Sequence, residues 1–490
     1  MASAMETHGR KVIYTDVDEI NASNVVDVLA SASDDNSTNE SEISYLWGYY
    51  KGDQPILGRT KDFNANILNK IVQNRAYEIT NFKTGYLLSA PLQYTAQHSD
   101  SLTDEADEEE SDADLVRLSS WMLDAGKQDS DAYVADWQSI CGTAYRMLLP
   151  KEERLDDTEP PFEIFDLDPR NTFVVYSSKL GHKPMLGVTY VTLEDDTKLY
   201  YCYTETEFFT VNSDKEIVER GTHILNSIPV IEYPANQERM GDFEVVTSLL
   251  DAINTVQSDR VDSTEAFVQA ILVMKGFDVE NADTASFMQE LKQNGGLFLP
   301  EEGDAKYVSQ ELNQAQTQEL VDDLNDAILQ IVGMPNRNGG SSTSDTGAAV
   351  ILRDGWSAAE SRAVKREIIF KSSERRFLKL AVVVCNAIGG TNLQLRNIGI
   401  QFPRRNYTND SANVSNLVTL LSNDWVRPEF AYEHSNLTPD PHREWLLAKK
   451  WHDSVEDKDV GNAIAENGEG EEPENLAVEE VVDEESYAEF

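Results

Sequence analysis

The sequence predicts an α+β chain in which long helices enclose two β-containing regions. Three observations predict it. Residues 162–233 carry period-two, β-rich stretches separated by turn chemistry such as Asp168-Pro169-Arg170-Asn171 and Asn212-Ser213-Asp214. Amphipathic helical patterns lie on both sides of that region. A small α/β excursion at 271–310 interrupts two of the long helices. The 490 residues are enough for several domains and a sizeable core.

The elements follow in order. Residues 1–43 are polar and read as a flexible segment with one short helix at Asn24–Ala32. Tyr45, Leu46, Trp47 and Tyr49 form an aromatic cluster, and Ile67, Ile71, Tyr77, Ile79, Phe82, Tyr86 and Leu87 mark a helical stretch. The acidic insert at 100–114 and the acidic tail from 453 hold too little apolar surface to offset ordering entropy, so both are expected to be disordered. Helices are expected over about Ser111–Asp124 and Asp131–Met147, then strands at Thr172–Tyr176, Met185–Val191, Lys198–Tyr203 and Glu207–Val211. Asp242 can cap a long helix with Phe243, Val246, Leu249, Ile253 and Val256 on one face. Ile271–Met274 and Gly296–Pro300 read as strands around a short helix at 283–293.

The most informative stretch is 311–388. A helix with Leu320, Leu324, Ile328 and Ile331 on one face stops at Gly333 and Pro335, because Gly accepts a left-handed cap and Pro cannot continue a helix. The polar loop Asn336, Arg337, Asn338, Gly339, Gly340, Ser341, Ser342, Thr343, Ser344 follows, and Asp345 caps a helix running to about Asn386. A polar loop between two long helices points to contact with something.

Composition narrows the function. The formal charge of −46 disfavours tight DNA binding, which needs Lys and Arg against phosphates. There is no Gly-x-x-x-x-Gly-Lys-Ser/Thr loop, no Gly-x-Gly-x-x-Gly opening a helix, no Gly-x-Ser-x-Gly elbow and no EF-hand loop. The seven histidines show no metal-ligand spacing, and Cys141, Cys202 and Cys385 read as small buried hydrophobes. No catalytic residue, metal or cofactor is therefore expected. No apolar run reaches the roughly 18 residues of a membrane helix, and no signal peptide is visible, so no membrane partner is expected. One exception to the acidity is the helix from Asp345, with Arg353, Arg362, Lys365, Arg366, Lys371, Arg375, Arg376 and Lys379. Either it meets a partner of opposite sign, within or between subunits, or its charges pair locally with Glu367 and Glu374.

Four segments carry a resemblance. Asn81 to Tyr94 places Gly85-Tyr86 and Pro91 before a final Tyr; Ile228 to Asn236 is followed by Gly241-Asp242-Phe243-Glu244; Ser344 to Ala349 is a small-residue helix start; Ile398 to Arg405 is a late strand. In this order they resemble the portal proteins of tailed double-stranded-DNA bacteriophages over about 44–450. The resemblance implies a phage-portal fold: a flexible segment 1–43, an α/β wing at 44–240, a two-helix stem at 241–270 and 311–333, a small α/β clip at 271–310, a tunnel loop at 334–346, the long wing helix and strand at 347–409, a helical C-terminal crown at 410–452 and the tail at 453–490.

It further implies a closed homo-oligomeric ring, twelve subunits in the mature virion, at one capsid vertex, assembled in the host cytoplasm. Double-stranded DNA passes through without sequence reading during packaging, retention and ejection. The tunnel loop Asn336–Ser344 faces the DNA. The clip, with Lys275, Gly276, Phe277, Glu301, Glu302 and Asp304, docks the terminase large subunit and the head-tail adaptor, and major capsid and scaffolding proteins are further partners. Two readings compete: a metal-dependent nuclease or hydrolase using acidic clusters, and a structural adaptor that forms no ring.

Overall fold

The computed structural model describes residues 7–62, 65–97, 105–268, 271–275, 304–308, 314–336, 355–403, 410–423, 425–435, 437, 441, 444–452 and 455. Strand β1 (Ile13–Thr15) is followed by helix α1 (Val25–Lys51). The expectation of a flexible 1–43 with a short helix at 24–32 is therefore corrected over the described part. Val25, Val28, Leu29, Ala32, Asn36, Asn39, Ile43, Leu46 and Tyr49 form one continuous buried stripe. Asn36 and Asn39 occupy stations where an apolar residue is expected, which hides the periodicity. Asn39 is satisfied by accepting from the Lys11 amide and donating to the Lys11 carbonyl, both at 2.9 Å. Arg10 is buried as well, paired with Glu42 at 2.9 Å and Glu244 at 2.7 Å.

Helix α2 (Arg75–Leu87), strand β2 (Gln93–Ala96) and helix α3 (Glu105–Asp124) follow. Helix α3 begins inside the acidic insert, so the expectation of disorder is overturned for 105–114. Carboxylates at a helix N-terminus are favoured by the helix dipole, and Leu115, Leu118, Trp121 and Met122 anchor the helix in the core. Helix α4 (Lys127–Cys141) ends earlier than expected: the chain turns at Gly142, and Tyr145 and Met147 belong to strand β3 (Thr143–Pro150).

Strand β4 (Phe162–Leu167) pairs with β3, as does β10 (Val230–Pro234), giving a three-stranded antiparallel sheet. Between them in sequence run β5 (Thr172–Ser177), β6 (Pro184–Thr192), β7 (Lys198–Tyr203), β8 (Glu207–Val211) and β9 (Ile217–Thr222). They form an antiparallel meander with β1 added in parallel to β5. The N-terminal half of α1 covers this sheet: Val25, Val28 and Leu29 pack with Phe173, Val175, Val188 and Phe209. The C-terminal half, with Ile43, Leu46 and Tyr49, enters the larger core. One helix thus ties two hydrophobic cores together.

After a short 3-10 turn at Glu244–Val246 comes helix α5 (Thr247–Val268). Asp242 is not its cap. Its carboxylate accepts from Ser139 Oγ at 2.7 Å and from Arg366 at 2.8 Å. Strand β11 (Ile271–Lys275) pairs antiparallel with β12 (Asp304–Val308), while the strand expected at 296–300 and the helix expected at 283–293 lie outside the described residues. Helix α6 (Gln314–Val332) buries Val321, Ile328 and Val332, while Leu320 and Ile331 are exposed, so the buried face is rotated from the expected one. Helix α7 (Trp356–Ile388) crosses the larger core with Phe370, Phe377, Leu378 and Val384 buried. Strand β13 (Ile398–Gln401) pairs antiparallel with β2, placing Ile400 opposite Tyr94.

Residues 408–490 form a separate unit. Its described part contains α8 (Asp410–Leu421) and α9 (Pro428–Ser435), which pack on one another. The tail beyond 455 lies outside the described residues.

Candidate functional site: the Pro335–Gly355 junction

The chain leaves α6 and enters α7 at one point. Gly333 has φ +65°, and the Met334 amide donates back to the Leu329 carbonyl at 2.9 Å, which closes the helix as its sequence requires. Pro335 and Gly355 then meet: a Cβ placed on Gly355 would lie 3.8 Å from Pro335 Cα. Residues 337–354 therefore depart and return at the same place. Of the expected loop, Asn336 is described at the root, where its amide donates to Asp326 at 2.9 Å. Arg337, Asn338, Gly339, Gly340, Ser341, Ser342, Thr343, Ser344 and Asp345 lie outside the described residues.

Two cations hold this root. The last carbonyls of a helix lack intrahelical partners and carry partial negative charge. Arg362 donates to the Ile331 carbonyl at 2.6 Å, and Lys83 of α2 donates to the Val332 carbonyl. Burial pulls the Lys83 ammonium down to about 8; Asp242 opposes this, while Arg362 and Arg366 add to it. Trp356 sits 6.1 Å from the rings of both Phe82 and Tyr86, and the Tyr86 hydroxyl donates to Glu360 at 2.8 Å. A cavity of about 300 Å³ opens beside these groups, lined among others by Lys83, Asp242, Arg362 and Arg366.

Helix α7 is also fixed by a buried ionic cluster. Glu374 is fully buried and accepts from Tyr94 at 2.6 Å and from Tyr233 at 2.8 Å. Lys127 lies 3.0 Å and Arg146 3.5 Å from the same carboxylate, and both cations also reach Asp131. Burial works to raise the Glu374 pKa, but Lys127, Arg146 and the two tyrosine hydroxyls outweigh it and hold the group below the usual carboxylate range. The basic helix thus finds largely intramolecular partners: Arg366 on Asp242, Arg375 on the Leu395 and Ile398 carbonyls, and a local Lys371–Glu367 pair. Glu374 is not a local i,i+4 partner. No signal near Glu374 announces this, since Arg146 is 228 residues away.

The second expected site is partly described. Lys275 and Asp304 face each other in the β11–β12 ladder, so 276–303 also leave and return at one point. Gly276, Phe277, Glu301 and Glu302 lie outside the described residues. Among the described residues no group of three or more His, Cys, Asp or Glu is placed to hold a metal. Cys141, Cys202 and Cys385 are buried, and burial pushes their thiols up to about 12, so they are poor nucleophiles.

Comparison with known proteins adds three findings. The family model for "Phage portal protein, SPP1 Gp6-like" matches residues 32–453. The portal protein of Bacillus phage SPP1 is 21% identical over 382 residues, spanning 74% of this chain and 72% of that protein. Among solved structures, a chain from the neck of an empty GTA particle, computed with C6 symmetry, superposes with a TM-score of 0.42 at 11% identity, covering 74% of this chain and 90% of that one.

Proposed function

This chain belongs to the SPP1 Gp6-like family of phage portal proteins, and from that premise we propose that it forms a closed ring of twelve copies whose lumen is the DNA passage at one capsid vertex. In this reading the chain is a structural component and performs no chemistry of its own. DNA enters during packaging, is retained, and leaves during ejection through the same ring. Terminase and then the head-tail adaptor dock on the region around Lys275, Gly276, Phe277, Glu301, Glu302 and Asp304. Capsid and scaffolding proteins surround the ring as it assembles in the host cytoplasm.

The observation that carries the loop's role is its mount. The chain enters and leaves the proposed tunnel loop through a junction fixed by Lys83, Arg362 and the Pro335–Gly355 contact, which gives the loop a firm base. The charge of the chain supports the same reading. A conduit that neutralised many phosphates would release counterions and bind DNA tightly, whereas a chain of charge −46 repels phosphate and leaves DNA free to slide. Contact through a polar loop with Arg337 steadies DNA without reading bases.

The test is deletion of Asn338–Ser344. Rings should still assemble, because the described packing of α6 and α7 lies outside that segment, while DNA packaging or retention fails. Arg337→Ala should be milder, as one exposed phosphate contact contributes little. Packaging at the normal rate and length after the deletion would reduce the loop to a connector. Loss of ring assembly would move it to a subunit interface.

A further inference from the structure

The cavity at the loop root has a charge that its setting does not explain. Lys83, Arg362, Lys365 and Arg366 line it against Glu238 and Asp242, in a chain of charge −46. Arg366 is neutralised by Asp242. Lys83 and Arg362 are turned to backbone carbonyls, which offer only partial charge. Lys365 is exposed and has no ion pair or hydrogen bond among the described residues. An exposed apolar side chain stands on the cavity wall: Val245, at 53% exposure.

A complementary surface lies on the same chain. Helix α6 exposes Glu319, Asp322 and Asp323 around Leu320. Glu319 and Asp323 are like charges at i,i+4, an arrangement that destabilises a helix unless cations meet it. Neither has a partner among the described residues, and Asp322 accepts only from Gln318 at 2.8 Å. The acidic turn cannot reach the cavity of its own molecule. Asp323 precedes Val332, which lines the cavity, by nine residues, about 14 Å along a helix at 1.5 Å per residue.

We propose that the cationic cavity beside the Pro335–Gly355 junction is a socket for the acidic turn Glu319–Asp323 of α6 on a neighbouring copy of this chain. Socket and acidic turn are different patches, so the contact is heterologous, the kind that closes into a ring when repeated. Val245 supplies the exposed apolar wall that meets Leu320. The inference rests on the ring reading above.

Charge exchange in the full-length chain tests it. Lys365→Glu and Asp323→Lys, both at exposed positions, should each leave the far-ultraviolet circular dichroism unchanged and weaken association about fivefold per contact at low salt, the scale of one exposed ion pair. Light scattering reads this as a fall in ring mass. The double variant Lys365→Glu/Asp323→Lys should recover the rings. Unchanged assembly by Lys365→Glu, or a double variant no better than either single one, overturns the socket while the ring reading stands. Wild-type protein that forms no ring at any salt overturns the ring reading, and the socket falls with it.

Discussion

Replacing Gly333 by Ala probes the loop root with a built-in control. Gly333 has φ +65°, a conformation that costs an L-residue about 1–2 kcal/mol. The added Cβ would lie 2.4 Å from Arg362 Nε, so the guanidinium must move away from the Ile331 carbonyl. A hydrogen bond from a charged donor contributes about 1.5–3 kcal/mol, and the lower end applies because Arg362 is exposed and regains water. The total is about 2.5–3.5 kcal/mol. Gly390 has φ +68°, and a Cβ added there would meet nothing within 4 Å, so Gly390→Ala should cost the backbone strain alone, about 1–2 kcal/mol. Denaturant unfolding of the two variants beside the wild type reads the difference. Equal losses for Gly333→Ala and Gly390→Ala would show that the Arg362 contact contributes nothing and that the root is not held as described.

Other substitutions probe other parts of the chain. Glu374→Gln keeps the shape but leaves Lys127 and Arg146 to share Asp131, and breaking a buried pair should cost about 3–5 kcal/mol; a shift of the unfolding midpoint worth under about 1 kcal/mol would refute that role. Because the folded-state pKa of Glu374 is depressed, its contribution is present above the unfolded value of about 4.3 and is lost as pH falls through the folded value. The wild type should lose that stability in acid, and Glu374→Gln should show a flatter acid limb in the same unfolding measurement. Removing residues 456–490 should leave the number of subunits per ring unchanged, since their composition offers little apolar surface to an interface; a truncated chain that stays monomeric would show that the tail joins subunits.

How much of this is legible in the sequence depends on whether a residue's partners are local. Strands β5 to β8 are readable because Tyr, Val and Phe alternate between turn residues, and alternation is a local signal. Gly333 is readable because a left-handed cap favours Gly whatever surrounds it. Helix α1 is not, because buried Asn36 and Asn39 interrupt its apolar stripe and are satisfied by Lys11 and by each other. Asp242 offers a plausible local role as a cap, but Arg366, 124 residues away, claims its carboxylate. Glu374 misleads for the same reason: a carboxylate among arginines on one helix suggests local pairs, and only the tertiary fold brings Lys127 and Arg146 to it. The loop root is half legible. Its ends are marked by Gly and Pro, while Lys83 and Arg362, the cations that hold it, carry no sequence pattern.

Imaging the purified chain by negative stain, with its mass measured by light scattering in parallel, tests the ring most directly. Closed rings of twelve or a near number of subunits, with an open central hole, are the expected result. Particles that remain monomers or dimers across a wide range of salt and protein concentration would contradict it.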